Sequence, residues 1–186
     1  MLYAFDNLNL ITDETLEEMI HDMPIERQRK ANSYKNINDK KTCAMAYYLL
    51  CNGLKEEYNI ENPTFKYNEY GKPYLRDNGN IFFNITHTKN IVACVISDKE
   101  VGIDIEELRE YNEGVAKKIL SDDEFEKVKD DKDYTKYWTI KEAVCKCEGT
   151  GIANFDFKNI DYTKYDFDMK YYTEHNAYLT VCYKKS

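Results

Sequence analysis

The chain has 186 residues, a formal net charge of −8, 42 % apolar residues and 14 % aromatic residues. That much apolar side chain supports a packed core and excludes a disordered chain, while the acidic balance argues against nucleic acid as a general partner. No run approaches the ~18 apolar residues of a membrane helix, and residues Met1 to Asp6 lack the features of a signal peptide, so a cytoplasmic protein with no membrane partner is expected.

In chain order, residues 2–6 read as a strand, and Asp13 as the cap of a short helix with Leu16, Met19 and Ile20 on one face. Between Arg27 and Lys41 lie Arg27, Arg29, Lys30, Lys35, Lys40 and Lys41, with Asp39 the only acid. An acidic chain that gathers cations in one segment has a place to hold an anion, although a solvated helix face reads the same way. Cys43, Tyr47, Leu50, Leu54 and Tyr58 follow helical spacing, which predicts a helix over 39–58 started near Asn38 or Asp39.

Residues 68–73 read as a turn, and residues 81–85 and 91–97 as strands. Val101, Ile103 and Ile105 alternate with Gly102, Asp104 and Glu106, which predicts a half-buried strand. Ser121 to Glu124 form a capping box that opens a helix with Phe125 and Val128 inward. A helix from about Tyr134 to Glu148 ends at Gly149, and residues 166–172 and 177–184 alternate like an antiparallel pair. The order implies an α+β fold of two similar halves, 1–98 and 99–186, with the active site between them. The six cysteines form no CxxC, so reduced thiols are expected rather than a zinc cage or disulfides.

Four constellations can carry chemistry. On a strand, Asp104 and Glu106 share one face with Cα atoms ~6.5–7 Å apart, a span that lets one oxygen from each reach a single Mg²⁺ at ~2.1 Å. A wet acidic face has the same pattern. On a helix, Trp138, Glu142 and Lys146 form one stripe at i, i+4 and i+8, able to serve a metal and a phosphate together, or to be an ordinary solvent-face pair. Asn84-Ile85-Thr86-His87-Thr88 leaves a strand with a hydroxyl and an imidazole that can donate to phosphate oxygens, or with a merely structural histidine, and Tyr70-Gly71-Lys72-Pro73 is a rigid turn that can hold Lys72 against a nucleotide or be only a turn.

Taken in order, these motifs resemble the 4′-phosphopantetheinyl transferases of the larger, surfactin-synthetase type. The matching residues are Glu26-Arg27, Gly71-Lys72-Pro73, Asn84 to Thr88, Gly102-Ile103-Asp104-Ile105-Glu106, and Trp138-Thr139-Ile140-Lys141-Glu142-Ala143-Val144-Cys145-Lys146. The likeness covers roughly residues 24–152, with Thr86 and Thr88 standing where the family pattern has serines.

The resemblance implies transfer of 4′-phosphopantetheine from coenzyme A, the co-substrate, to a serine of an apo acyl or peptidyl carrier protein, with release of adenosine 3′,5′-bisphosphate. It implies that Asp104, Glu106 and Glu142 ligate Mg²⁺, and that Lys146 and His87 contact the phosphates. Arg27, Arg29 or Lys30 would meet the 3′-phosphate, with Thr42 and Thr86 nearby, and Gly71 and Lys72 would line the adenine pocket. Glu142 is the candidate base, residues Val115 to Phe125 the candidate carrier platform unless Ile119 and Leu120 are simply core, and a monomer the expected state. A metal-dependent nucleotide phosphohydrolase and a non-catalytic coenzyme A or carrier-binding module are the rival readings.

Overall fold

The computed structural model describes residues 1–185, so the last residue of the expected second half, Ser186, lies outside the described residues. The α+β class is the one observed. The chain begins with β1 (Leu2–Phe5), then α1 (Asp13–His21), α2 (Ile25–Ser33) and α3 (Ile37–Tyr58). A hairpin of β2 (Phe65–Tyr67) and β3 (Pro73–Leu75) precedes β4 (Phe82–His87) and β5 (Val92–Ser97). The remainder is β6 (Val101–Glu107), α4 (Glu113–Ile119), α5 (Asp122–Phe125), α6 (Asp131–Glu148), β7 (Tyr165–Tyr172) and β8 (Ala177–Lys184).

Two antiparallel three-stranded sheets organise these elements, in the orders β1-β5-β4 and β6-β8-β7. Every residue of β5 is buried, as expected of a central strand with an apolar run. Helix α3 packs Leu50 and Leu54 against Cys94 and Ile96 of that strand. On the second sheet α6 places Ala143, Val144 and Cys147 against Cys182.

The two sheets meet at β4 and β6, and side chains close the seam. Asn84 Oδ1 accepts from the Ile103 amide at 3.0 Å, and Thr86 Oγ1 accepts from the Ile105 amide at 3.2 Å. Two β6 amides that would otherwise be buried without a partner are satisfied in this way.

Local departures from the sequence reading have local causes. The cap of α1 is Thr12, whose Oγ1 accepts from the Thr15 amide, so Asp13 sits in the first turn instead. Helix α3 starts earlier than expected because Asn36 caps it, and α6 starts at Asp131 behind an Asp130 cap. Helix α2 has no apolar stripe of its own and was not foreseen. The expected half-buried strand β6 is buried from Val101 to Ile105, because α6 covers the face that carries Gly102 and Asp104. A Cβ at Gly102 would overlap the Ala143 carbonyl and the Cys147 amide, so only glycine lets the helix lie this close.

The platform expected over Val115 to Phe125 is broken at Ser121. There the complete capping box ends one helix direction and starts another. Leu120 is core, and Lys117 pairs with Glu113 within α4.

Candidate active site

The second sheet supplies Asp104 and Glu106, and the helix above it supplies Glu142 and Lys146. Lys146 Nζ donates to Asp104 Oδ1 at 2.6 Å and reaches Thr86 Oγ1 at 3.4 Å. The other oxygen of Asp104, Oδ2, is buried and has no partner. Burial pushes the Asp104 carboxyl up, and the Lys146 ammonium only partly opposes this. Glu106 is also raised, by burial and then by the Asp104 charge, against the pull of Arg109. Glu142 is pushed up to about 7, first by burial, then by Asp104, with Glu106 adding to it and Lys146 opposing. Three carboxylates therefore feel one another in a site where Asp104 and Glu142 are buried and Glu106 is partly open to water.

Arg109 was not singled out in the sequence. Its Nη1 lies 3.2 Å from Glu106 Oε1, and its guanidinium stacks 4.0 Å from the centroid of Trp138. The readable signal was an arginine three residues beyond Glu106, close to the strand end. Lys146 and Arg109 thus stand as cations beside Asp104 and Glu106.

Among the described residues no three His, Cys, Asp or Glu side chains stand together at metal-ligand spacing. The donor set nevertheless suits a hard divalent cation. It is all carboxylate oxygen, one oxygen is buried without a partner, and the third acid is raised by burial and then by its like-charged neighbours.

Two cavities lie on this side of the molecule, and the second of them reaches the cluster at Glu142 and Lys146. The first, about 310 Å³, has Arg27, Lys30 and Thr42 on one side and Gly71, Phe83 and His87 on the other. The second, about 250 Å³, is lined by Lys72, Asn84, Glu142, Cys145, Lys146 and Ile152. Gly71, Pro73 and Ile85 line both, so the two spaces share a wall at the hairpin turn and β4.

The basic segment is sorted by helix geometry. On α2, Arg27 and Lys30 are one turn apart and face the first cavity, while Arg29 points the other way and is exposed. The Arg27 guanidinium lies 5.2 Å from the Tyr47 ring centroid, and its Nε is buried without an acceptor. Thr86 is buried in the seam rather than open to the first cavity. The Lys72 ammonium is bonded to the carbonyls of Cys147, at 2.9 Å, and Val101, at 3.3 Å.

Comparison with known proteins bears on the same stretch of chain. Residues 100–182, which hold Asp104, Glu106, Glu142 and Lys146, match the family model of the 4′-phosphopantetheinyl transferase superfamily. The chain is 33 % identical over 135 residues to the 4′-phosphopantetheinyl transferase gsp of Aneurinibacillus migulanus, covering 68 % of this chain and 56 % of that protein. It is 26 % identical over 151 residues to the 4′-phosphopantetheinyl transferase Sfp of Bacillus subtilis, covering 77 % and 67 %. A Candida glabrata L-aminoadipate-semialdehyde dehydrogenase-phosphopantetheinyl transferase matches at 26 % over 208 residues, covering 95 % and 80 %. The chain therefore spans between about half and two thirds of the length of the two bacterial relatives. With the acid-bearing strand, the lysine-bearing helix and these likenesses falling on one segment, the chain belongs to the 4′-phosphopantetheinyl transferase superfamily.

Proposed function

We propose that this protein transfers the 4′-phosphopantetheine arm of coenzyme A to a serine of an apo acyl or peptidyl carrier protein, releasing adenosine 3′,5′-bisphosphate. One observation carries the reading most of the way. Lys146, on the wall of one cavity, is bonded to a buried acid whose second oxygen is unpaired, and the adjoining cavity has cations on its far side. A molecule with a phosphate at each end of a nucleotide suits that pair of spaces.

In this reading Arg27 and Lys30 hold the 3′-phosphate, helped by Thr42. Arg27 suits the task because its Nε is buried without an acceptor on the wall of the first cavity. His87 and Lys146 meet the pyrophosphate from the two cavities, and Gly71 lines the base. Asp104, Glu106 and Glu142 would hold Mg²⁺. When bound, that ion stabilises the charge that develops as the pyrophosphate is cleaved. Glu142, on the wall of the second cavity beside Lys146, is the carboxylate placed to take the proton of the attacking serine. Arg109 keeps Glu106 in place from its stack on Trp138.

The sheet pairs β1-β5-β4 and β6-β8-β7 support a division into halves at 1–98 and 99–186, acting as one monomer. No helix among the described residues is long and apolar enough to cross a membrane, and a cytoplasmic setting would suit a protein that uses coenzyme A.

The test is to incubate the protein with coenzyme A, Mg²⁺ and an apo carrier and weigh the carrier by mass spectrometry. A phosphopantetheine increment is expected, and it should vanish in a folded Asp104→Ala variant. Phosphate release without the increment would point to a hydrolase, and coenzyme A binding with neither product to a binding module.

A further inference from the structure

The hairpin turn between β2 and β3 is bound to the end of α6 as well as lining both cavities. Asn68 organises the turn, with Oδ1 accepting from the amides of Tyr70, at 3.0 Å, and Lys72, at 2.8 Å. Its Nδ2 crosses to the carbonyl of Gly149 at 2.9 Å. The Lys72 ammonium reaches the Cys147 carbonyl in the last turn of α6 and the Val101 carbonyl at the start of β6. Those helix-end carbonyls have no partner inside the helix, and a cation there also faces the negative end of the helix dipole. Gly149 ends the helix in the left-handed region at φ 69°, and a Cβ there would stand 2.8 Å from Lys72 Cδ. The lysine stem therefore lies directly on the helix cap.

A lysine that binds a ligand keeps its ammonium free for it. Lys72 has turned its ammonium to two carbonyls, and burial holds it below the usual lysine range. Cys147 follows Lys146 directly in the chain, so whatever fixes the Cys147 carbonyl also fixes the backbone that carries Lys146.

We propose that Asn68 and Lys72 are positioning residues, a latch by which the hairpin turn fixes the last turn of α6 and thereby aims Lys146 and Glu142 into the second cavity. Lys72 acts through the helix end rather than by touching the nucleotide. The kinetic part of this proposal rests on the transferase reading above, whereas the structural part does not.

Two variants test it. Lys72→Met removes the ammonium and keeps most of the stem, and Asn68→Ala breaks the Gly149 bond at a residue that lines neither cavity. Amide hydrogen exchange at residues 147–151 should accelerate by about tenfold or more in both, as expected of a local opening. The Kd for adenosine 3′,5′-bisphosphate should stay within about threefold, while kcat for carrier modification falls by about tenfold or more from misplacement alone. The latch is overturned if exchange at 147–151 keeps its wild-type rate, or if it accelerates while kcat is unchanged. A Kd raised about tenfold by Lys72→Met but not by Asn68→Ala would make Lys72 a direct ligand contact instead. Should the wild type transfer nothing, the transferase reading fails, and the exchange measurement still decides whether the latch exists.

Discussion

Lys146 Nζ and Asp104 Oδ1 stand 2.6 Å apart across the interface of helix and sheet, while the second oxygen of the same carboxylate is sealed from solvent without a partner. The Asp104 side chain is only 6 % exposed, against 31 % for Lys146. Removing the two partners is therefore not equivalent. Lys146→Ala leaves a buried acid without its cation, and should cost on the order of 2–3 kcal/mol at pH 8, toward the low end for a buried pair because the lysine is partly solvated. The loss should shrink at pH 5, where Asp104 can protonate, and Asp104→Asn in the same chain should recover much of it. Denaturant unfolding at the two pH values checks this, and an equal loss at both would contradict it.

Glu142 sets the sign of a second pH effect. Its folded value, about 7, lies above the ordinary 4.5, so the native chain holds this proton more tightly than the unfolded chain does. Native stability from this group is fully present below about 4.5 and is lost as pH rises through about 7. In metal-free protein, Glu142→Gln should therefore raise Tm at pH 8, by about 2–4 °C for each kcal/mol recovered, and change it little at pH 5. The same variant should lose carrier modification, the expected exchange of stability for function at a crowded acid site. An unchanged Tm at pH 8 would mean that the crowding is relieved some other way.

The two arginines of α2 should differ. Arg27→Ala should raise the Kd for adenosine 3′,5′-bisphosphate by on the order of tenfold or more, the worth of a hydrogen bond to a charged group. Arg29→Ala should stay within about twofold, because its side chain faces solvent on the opposite side of the helix. Calorimetric titration of both variants reads this directly. Equal losses would mean that the basic segment acts by bulk charge.

Much of the chemistry was legible because it lies on regular elements. Alternation put Asp104 and Glu106 on one face of a strand, and a period of four put Trp138, Glu142 and Lys146 on one stripe. The illegible part needed partners far away in sequence. Lys141 carries no role in the sequence reading beyond its place in the Trp138–Lys146 motif, yet it is 1 % exposed and paired at 2.7 Å with Glu124, seventeen positions earlier. Thr86 reads as a neighbour of the 3′-phosphate and Asn84 as part of the same motif, while the side-chain oxygens of both serve amides of another strand. Lys72 reads as a nucleotide contact because the turn is a nucleotide-type turn, and only the packed helix end reveals where its ammonium goes. Arg29 could have been separated from Arg27 had helix α2 been recognised, but its polar sequence gives no periodic signal.

The placement of the acids is most directly tested by a crystal structure grown with Mn²⁺ and adenosine 3′,5′-bisphosphate, using anomalous scattering to find the metal. The expected result is a peak bounded by carboxylate oxygens of Asp104, Glu106 and Glu142, with Lys146 turned toward the nucleotide and the 3′-phosphate against Arg27. A metal held elsewhere, with Glu142 apart from the other two acids and Lys146 still closed on Asp104, would contradict it.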